Sequence, residues 1–135
     1  MDFSVIIPAY NEVTTIGPCL VRVAAALPET RKEIVIVDDG STDGTREWLR
    51  ANVDALEAGN CALALDDTGA LAVVEGEARA ISIKLVFHDH NRGKGGALQT
   101  GLATVSGAVI VIQDADLEYD PADWREMYDL IVARG

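Results

Sequence analysis

Asp114, Asp116 and Glu118 carry the strongest chemical signal in the chain, because residues two apart on an extended segment point to the same side. Three hard oxygen ligands facing one point, with room for water, suit Mg²⁺ or Mn²⁺, which in turn bridges ligand phosphates. The competing reading is a solvated acidic loop that caps the next helix. Repulsion among acids abutting a buried strand adds weight to a cation or to hydrogen-bond donors. Asp38 and Asp39 form a second acidic pair, able to accept from a base N–H or a ribose hydroxyl, or else to make an ordinary Asx turn. Asn91-Arg92-Gly93-Lys94-Gly95-Gly96 offers glycines that let backbone amides approach a ligand, a helix start, and two cations in an acidic chain. It lacks the first glycine and the hydroxyl of a P-loop, and the first apolar run is not followed by GxGxxG. His88 and His90 flank Asp89 and read as surface or packing residues rather than zinc ligands.

These groups need a scaffold, and the hydrophobic pattern supplies one. Phe3 to Ile7, stopped by Pro8, and Ile34 to Val37 are continuous apolar runs of buried strands, and Val109 to Ile112 reads the same way. Ile81, Ile83, Leu85 and Phe87 alternate with Ser82, Lys84, Val86 and His88 in the period of a strand. Ile16, Leu20, Val23 and Leu27 share a helical face that Pro28 ends, and a second helix runs to about Asn52 behind hydroxyl N-cap candidates. Ala97, Leu98, Gly101, Leu102 and Val105 define a third helical face. Asp120-Pro121 opens a fourth helix bearing Trp124, Met127, Tyr128 and Ile131. Alternating strands and helices predict an α/β fold, a mostly parallel sheet covered by helices on both faces, with ligands at the carboxyl ends of the strands. Tyr10 to Glu12, Asp38-Asp39, Asn91 to Gly96 and Asp114 to Asp116 all fall at such ends. From Val53 to Ala80 the periodicity loosens, and Leu63 to Leu65 and Leu71 to Val74 flank a turn as in a hairpin, though the alanine-rich composition also suits a helical excursion.

The chain has 135 residues, 49% hydrophobic and 24% charged, the composition of one globular domain with a sizeable core. With 11 Lys+Arg against 22 Asp+Glu, the net charge of -11 repels nucleic acid and anionic lipid, so an anionic ligand needs a local cation or a helix N-terminus. Cys19 and Cys61 fit neither a disulfide framework nor a paired zinc motif, which predicts reduced thiols in a cytoplasmic protein. The first residues lack the cations of a signal peptide, and no run approaches the ~20 apolar residues of a membrane span.

Taken together, Val5-Ile6-Ile7-Pro8-Ala9-Tyr10-Asn11-Glu12, Ile36 to Thr45, Asn91 to Leu98 and Gln113 to Pro121 resemble, in order, the motifs of the family 2 glycosyltransferases. Within that family the likeness is to the dolichol-phosphate mannose synthases and the bacterial polyprenyl-phosphate sugar transferases. The resemblance implies a Rossmann-like GT-A fold and inverting, metal-dependent transfer of a sugar from a UDP- or GDP-sugar to an acceptor such as polyprenyl phosphate. It implies that Pro8, Tyr10 and Glu12 contact the nucleoside, that Asp39 reads the base with Asp38 in support, and that Lys94 holds the loop or the donor phosphates. It also implies that Asp114 and Asp116 bind the donor and the metal, with Glu118 a further ligand. Residues 54–80 exceed the family's usual link and read as a peripheral insertion. The acceptor pocket and catalytic base belong to a part of the family domain beyond the helix at Trp124, so no catalytic base is assigned here, and the complete enzyme is expected at the cytoplasmic face of a membrane. Self-association into a homodimer is expected where that part would pack. Two alternatives stand beside this reading: a non-catalytic nucleotide-sugar-binding fragment, which the lack of the acceptor half favours for the isolated chain, and a phosphohydrolase with Asp114 as nucleophile, against which it counts that the DxD of such enzymes follows the first strand rather than a late one.

Overall fold

Phe3–Ala9 forms β1, whose apolar side chains are buried on both faces of the sheet because a helix packs on each side. The computed structural model describes residues 3–27, 30–53, 59–60, 62–74, 80–116, 120–127 and 129. The elements that follow are α1 (Ile16–Ala25), β2 (Lys32–Asp38), α2 (Thr45–Asn52), β3 (Gly59–Asn60), β4 (Ala62–Leu65), β5 (Leu71–Val74), β6 (Ala80–Phe87), α3 (Gly93–Thr104) and β7 (Val109–Ile112). A 3₁₀ turn at Pro121–Asp123 leads into helical residues 124–127. The main sheet runs β3-β6-β2-β1-β7, with only β3 antiparallel to its neighbour. This is the mostly parallel α/β architecture that the pattern predicts.

Val5 and Ile7 of β1 and Ile34 and Ile36 of β2 pack with Ile16, Leu20 and Val23 of α1 in the main core. The intervening Val35 and Val37 turn to the other face, where they meet Ala97 of α3. Gly101 lets α3 lie close to the sheet: a Cβ there would come 2.5 Å from Ile6 Cγ2. Only the small residues of the predicted α3 face are deeply buried, and Leu102 is turned out.

Two elements depart from expectation. Helix α1 stops before Leu27, which stays buried but adopts φ 47°. The stop is built by buried Lys32, whose ammonium donates to the carbonyls of Ala24 at 3.3 Å and Leu27 at 3.1 Å, a cation on the negative end of the helix. Pro28 lies outside the described residues, as do Cys61, Tyr128 and Ile131. Strand β7 is not buried throughout: Val109 and Val111 pack on the core, while Ile110 and Ile112 are exposed. It pairs with β1 alone, at the edge of the described sheet.

The loose segment contains the expected hairpin, β4 with β5 around Asp66 to Gly69, where the Asp66 carboxylate accepts from Thr68 and Ala70 N–H groups. The hairpin is less peripheral than its pattern implies. Leu63 joins the main core, Leu65 lies against Gly17 of α1, and Trp48 of α2 donates its indole N–H to the Gly69 carbonyl. Trp124 closes the other end of the core, its ring centroid 5.4 Å from that of Phe3, behind an Asp120 carboxylate that accepts from Ala122 N–H as the expected N-cap.

Candidate functional site at the strand ends

β1 lies between β2 and β7; α1 leads from it to β2, and α3 brings the chain from β6 to β7 on the opposite face. The connections therefore diverge at the carboxyl ends of β1 and β7, the place where open α/β sheets hold ligands. A crevice of ≈ 360 Å³ opens there. Its lining includes Pro8, Tyr10, Glu12, Asp39, Lys94, Asp114 and Asp116, so the fold brings together seven of the residues singled out in the sequence. Asp38 is not among them. It is fully buried, with Oδ2 accepting from Ser41 N–H and Oδ1 lacking a protein donor among the described residues.

The loop after β1 is shaped by the loop after β2. Ser41 Oγ accepts from Asn11 N–H, Thr45 Oγ1 from Glu12 N–H, and Asn11 Oδ1 from Thr42 N–H, each within 2.9 Å. Asn11 itself sits at φ 54°, a conformation asparagine tolerates. The Ser41 hydroxyl, a candidate cap of α2, is thus committed to this loop, and the carboxylate of Asp43 takes the Thr45 N–H instead. Burial works to raise the Asp43 pKa, but hydrogen bonds from the Thr45 hydroxyl and N–H and from Val13 N–H outweigh it and hold the group below its usual value.

The loop after β6 makes the second wall. In parallel register Phe87 stands beside Asp38, which carries His88 to Asp39. The two side chains, 3% and 5% exposed, meet at 2.8 Å between Nδ1 and Oδ1. The same Oδ1 accepts from Arg92 N–H at 2.9 Å, and the other ring nitrogen lies 2.8 Å from Thr100 Oγ1 on α3. His88 is the buried partner of Asp39 that sequence reasoning missed; His90 and Asp89 are exposed, as surface residues. Gly40, at φ 79°, permits the approach of the two loops, since a Cβ there would lie 2.7 Å from Asn91 N.

The third wall follows β7. Asp114 and Asp116 do not converge by extended-chain alternation, because Ala115 and Asp116 form a turn. They nevertheless face the same crevice. Lys94 Nζ reaches Asp114 Oδ1 at 2.7 Å from the first turn of α3. The charge gathered here registers on buried Cys19, whose thiol is pushed up to about 12 by burial first, then by Asp116, with Asp114 and Glu12 adding and Arg22 opposing. Among the described residues Cys19 forms no disulfide. Among the described residues no three His, Cys, Asp or Glu side chains are grouped to hold a metal ion, and Glu118 lies outside them. Asp114 and Asp116 still supply two hard oxygen donors in a crevice where, among the described residues, Lys94 is the one lining cation, a donor set that fits Mg²⁺ or Mn²⁺.

Comparison with known proteins places the chain and its fold in a class. The sequence model of glycosyl transferase family 2 matches residues 4–63 and 65–135, and the chain belongs to that family. The chain is 34% identical over 129 residues to the dodecaprenyl-phosphate galacturonate synthase of Rhizobium johnstonii, covering 94% of this chain and 31% of that protein. It is 28% identical over 132 residues to the dolichol-phosphate mannosyltransferase of Saccharomyces cerevisiae, covering 96% of this chain and 40% of that one. Among solved structures, the mannosyltransferase PcManGT of Pyrobaculum calidifontis, in complex with GDP-Man and Mn²⁺, superposes with a TM-score of 0.56 at 30% identity, over 84% of this chain and 27% of that one. The fold is the GT-A glycosyltransferase type, and the chain spans about a third of the length of these relatives. No helix among the described residues is long and apolar enough to cross a membrane.

Proposed function

We propose that these residues form the donor-binding part of an inverting, divalent-metal-dependent glycosyltransferase that moves a sugar from a nucleoside diphosphate to an acceptor such as polyprenyl phosphate. The observation that carries this reading is the single crevice at the strand switch point, where Asp39, the first turn of α3 with Lys94, and Asp114 with Asp116 line one space. Tyr10, Pro8 and Glu12 border the same space and would flank the nucleoside. The first turn of α3 at Lys94 lines the crevice with the helix-start geometry that favours phosphate, the Gly93 N–H itself donating to Asn91 Oδ1 at 2.9 Å. Four carboxylates against one lysine make the lining unfavourable for a diphosphate by itself. A divalent cation held by Asp114 and Asp116, with Glu118 as a further ligand, would neutralise the charge that develops on the departing diphosphate. The acceptor oxygen bonds to the anomeric carbon as its bond to the diphosphate oxygen breaks, and the diphosphate leaves with the electron pair. None of the residues described here is assigned as the base. The relatives' printed names, a dodecaprenyl-phosphate galacturonate synthase and a dolichol-phosphate mannosyltransferase, support the acceptor class, and the GDP-Man and Mn²⁺ bound to PcManGT support the donor and metal.

Calorimetric titration with UDP, GDP and their sugars, each with and without Mn²⁺, tests the reading. Metal-enhanced binding of a nucleoside diphosphate is the expected result, and absence of binding in every arm overturns it. Binding without sugar transfer to a polyprenyl phosphate would assign this chain the donor-holding part alone.

A further inference from the structure

Asp39 offers the crevice less than a whole carboxylate. A carboxylate oxygen only accepts hydrogen bonds and has two lone pairs in the plane of the group. Both on Oδ1 are engaged, by His88 Nδ1 at 2.8 Å and by Arg92 N–H at 2.9 Å. The ring nitrogen facing that oxygen therefore carries a proton. Oδ2 has no protein donor among the described residues, yet it is not one of the buried unpartnered atoms, so it is the oxygen the crevice reaches. The pair cannot swing easily. His88 is buried, its far nitrogen is anchored on Thr100, and the Thr100 hydroxyl is itself 3.1 Å from the Gly96 carbonyl within α3.

We infer that His88 is a positioning residue which, with Arg92 N–H, saturates Oδ1 of Asp39, leaves a single acceptor for the nucleobase, and so makes the site select uracil over guanine. Uracil presents one N–H on its pairing edge, which one oxygen satisfies. Guanine presents two adjacent donors, N1–H and N2–H, that match both oxygens of an open carboxylate; here the second donor would be left without an acceptor, and an unmade buried hydrogen bond is costly. The inference rests on the reading that Asp39 meets the base.

The test compares UDP and GDP affinity, both with Mn²⁺, for the parent chain and for His88→Leu, His88→Asn, Thr100→Val and Asp39→Ala, each checked for cooperative unfolding. The parent should bind UDP about tenfold more tightly than GDP, the scale of one missing hydrogen bond. His88→Leu, which frees a lone pair and lets the carboxylate turn, should shrink that ratio to about two or less. His88→Asn, whose side-chain amide nitrogen stands near the position of Nδ1, should restore it. Thr100→Val keeps His88 but removes its anchor, should shrink the ratio in the same direction, and decides the matter if His88→Leu does not fold. A parent that binds GDP as well as UDP overturns the inference, as does an unchanged ratio in the His88 and Thr100 variants. If Asp39→Ala alters neither affinity, the fault lies in the base-reading premise; if Asp39→Ala weakens binding and the ratio ignores His88, only the inference fails.

Discussion

At the scale of single residues, the proposed function assigns Asp39 and Asp116 different work in one crevice. Removing the Asp39 carboxylate deletes the crevice-facing oxygen and leaves His88 Nδ1 and Arg92 N–H without their acceptor. Asp39→Ala should weaken uridine or guanosine binding by ~1–3 kcal/mol, the range for a lost charge-assisted hydrogen bond. An unchanged affinity in calorimetry would reduce Asp39 to a residue that holds two loops together. Asp116 is exposed on the turn after β7, so its replacement should leave the fold intact. Asp116→Ala should abolish the Mn²⁺-dependent gain in nucleoside diphosphate affinity, and a variant that binds like the parent with and without metal would remove Asp116 from the metal site. The Lys94–Asp114 pair is more than half exposed on the lysine side, and solvent screening limits what it adds to stability.

At the scale of elements, two side chains show how the sheet is fastened. Glu33 on β2 accepts from Ser4 of β1, Lys84 of β6 and both the N–H and hydroxyl of Ser106 after α3. Burial works to raise its pKa, but the Ser106 N–H, Lys84 and the two serine hydroxyls outweigh it and hold Glu33 below its usual 4.5. A carboxylate lowered in the folded state adds stability above its unfolded pKa and loses it as pH falls through the folded value. Urea midpoints measured downward from neutrality should therefore fall below the ordinary glutamate range, and Glu33→Gln should flatten that acid limb; an identical limb in the variant would show that Glu33 is not the group responsible. Leu63, 6% exposed, fastens the β4–β5 hairpin to the main core. Leu63→Ala should cost about 2–3 kcal/mol, the lower part of the range for a core leucine. A loss under ~0.5 kcal/mol, the level of ordinary surface changes, would return the hairpin to the periphery.

At the scale of the whole molecule, the sheet leaves apolar surface beside α3. Ile110 and Ile112 are the register partners of Ser4 and Ile6, which places them on the α3 side of β7, and Leu102 is exposed on α3 itself. An open strand edge with an apolar face favours association, while a net charge of -11 opposes indiscriminate clumping. Light scattering across concentrations should show a dimer, and Ile110→Lys with Ile112→Lys should shift it toward monomer. A compact parent monomer at every concentration, with no binding of an apolar dye, would mean that this surface needs no cover.

The apolar runs Phe3 to Ile7 and Ile34 to Val37 are buried by composition wherever they lie, so the parallel α/β class and the clustering of polar groups at strand ends were legible before any coordinates. The gathering of Tyr10, Glu12, Asp39, Lys94, Asp114 and Asp116 around one crevice was legible for the same reason: each lies in the loop after a strand or in the first turn of a helix. What the pattern could not carry was register and pairing across the sheet. His88 reads as one more residue of an alternating strand, and only the parallel pairing of β6 with β2 sets it beside Asp39, 49 positions away. Leu63 likewise sits in a segment without clear period, and its burial depends on α1 being there to receive it. The turn at Ala115 and Asp116 removes the extended alternation expected to aim Asp114 and Asp116 together, yet the crevice still gathers these two. Local preference and hydrophobic period act over a few residues and are written in the chain; a hydrogen bond between distant side chains exists only when the packed sheet fixes both ends, and that was decided by the tertiary structure.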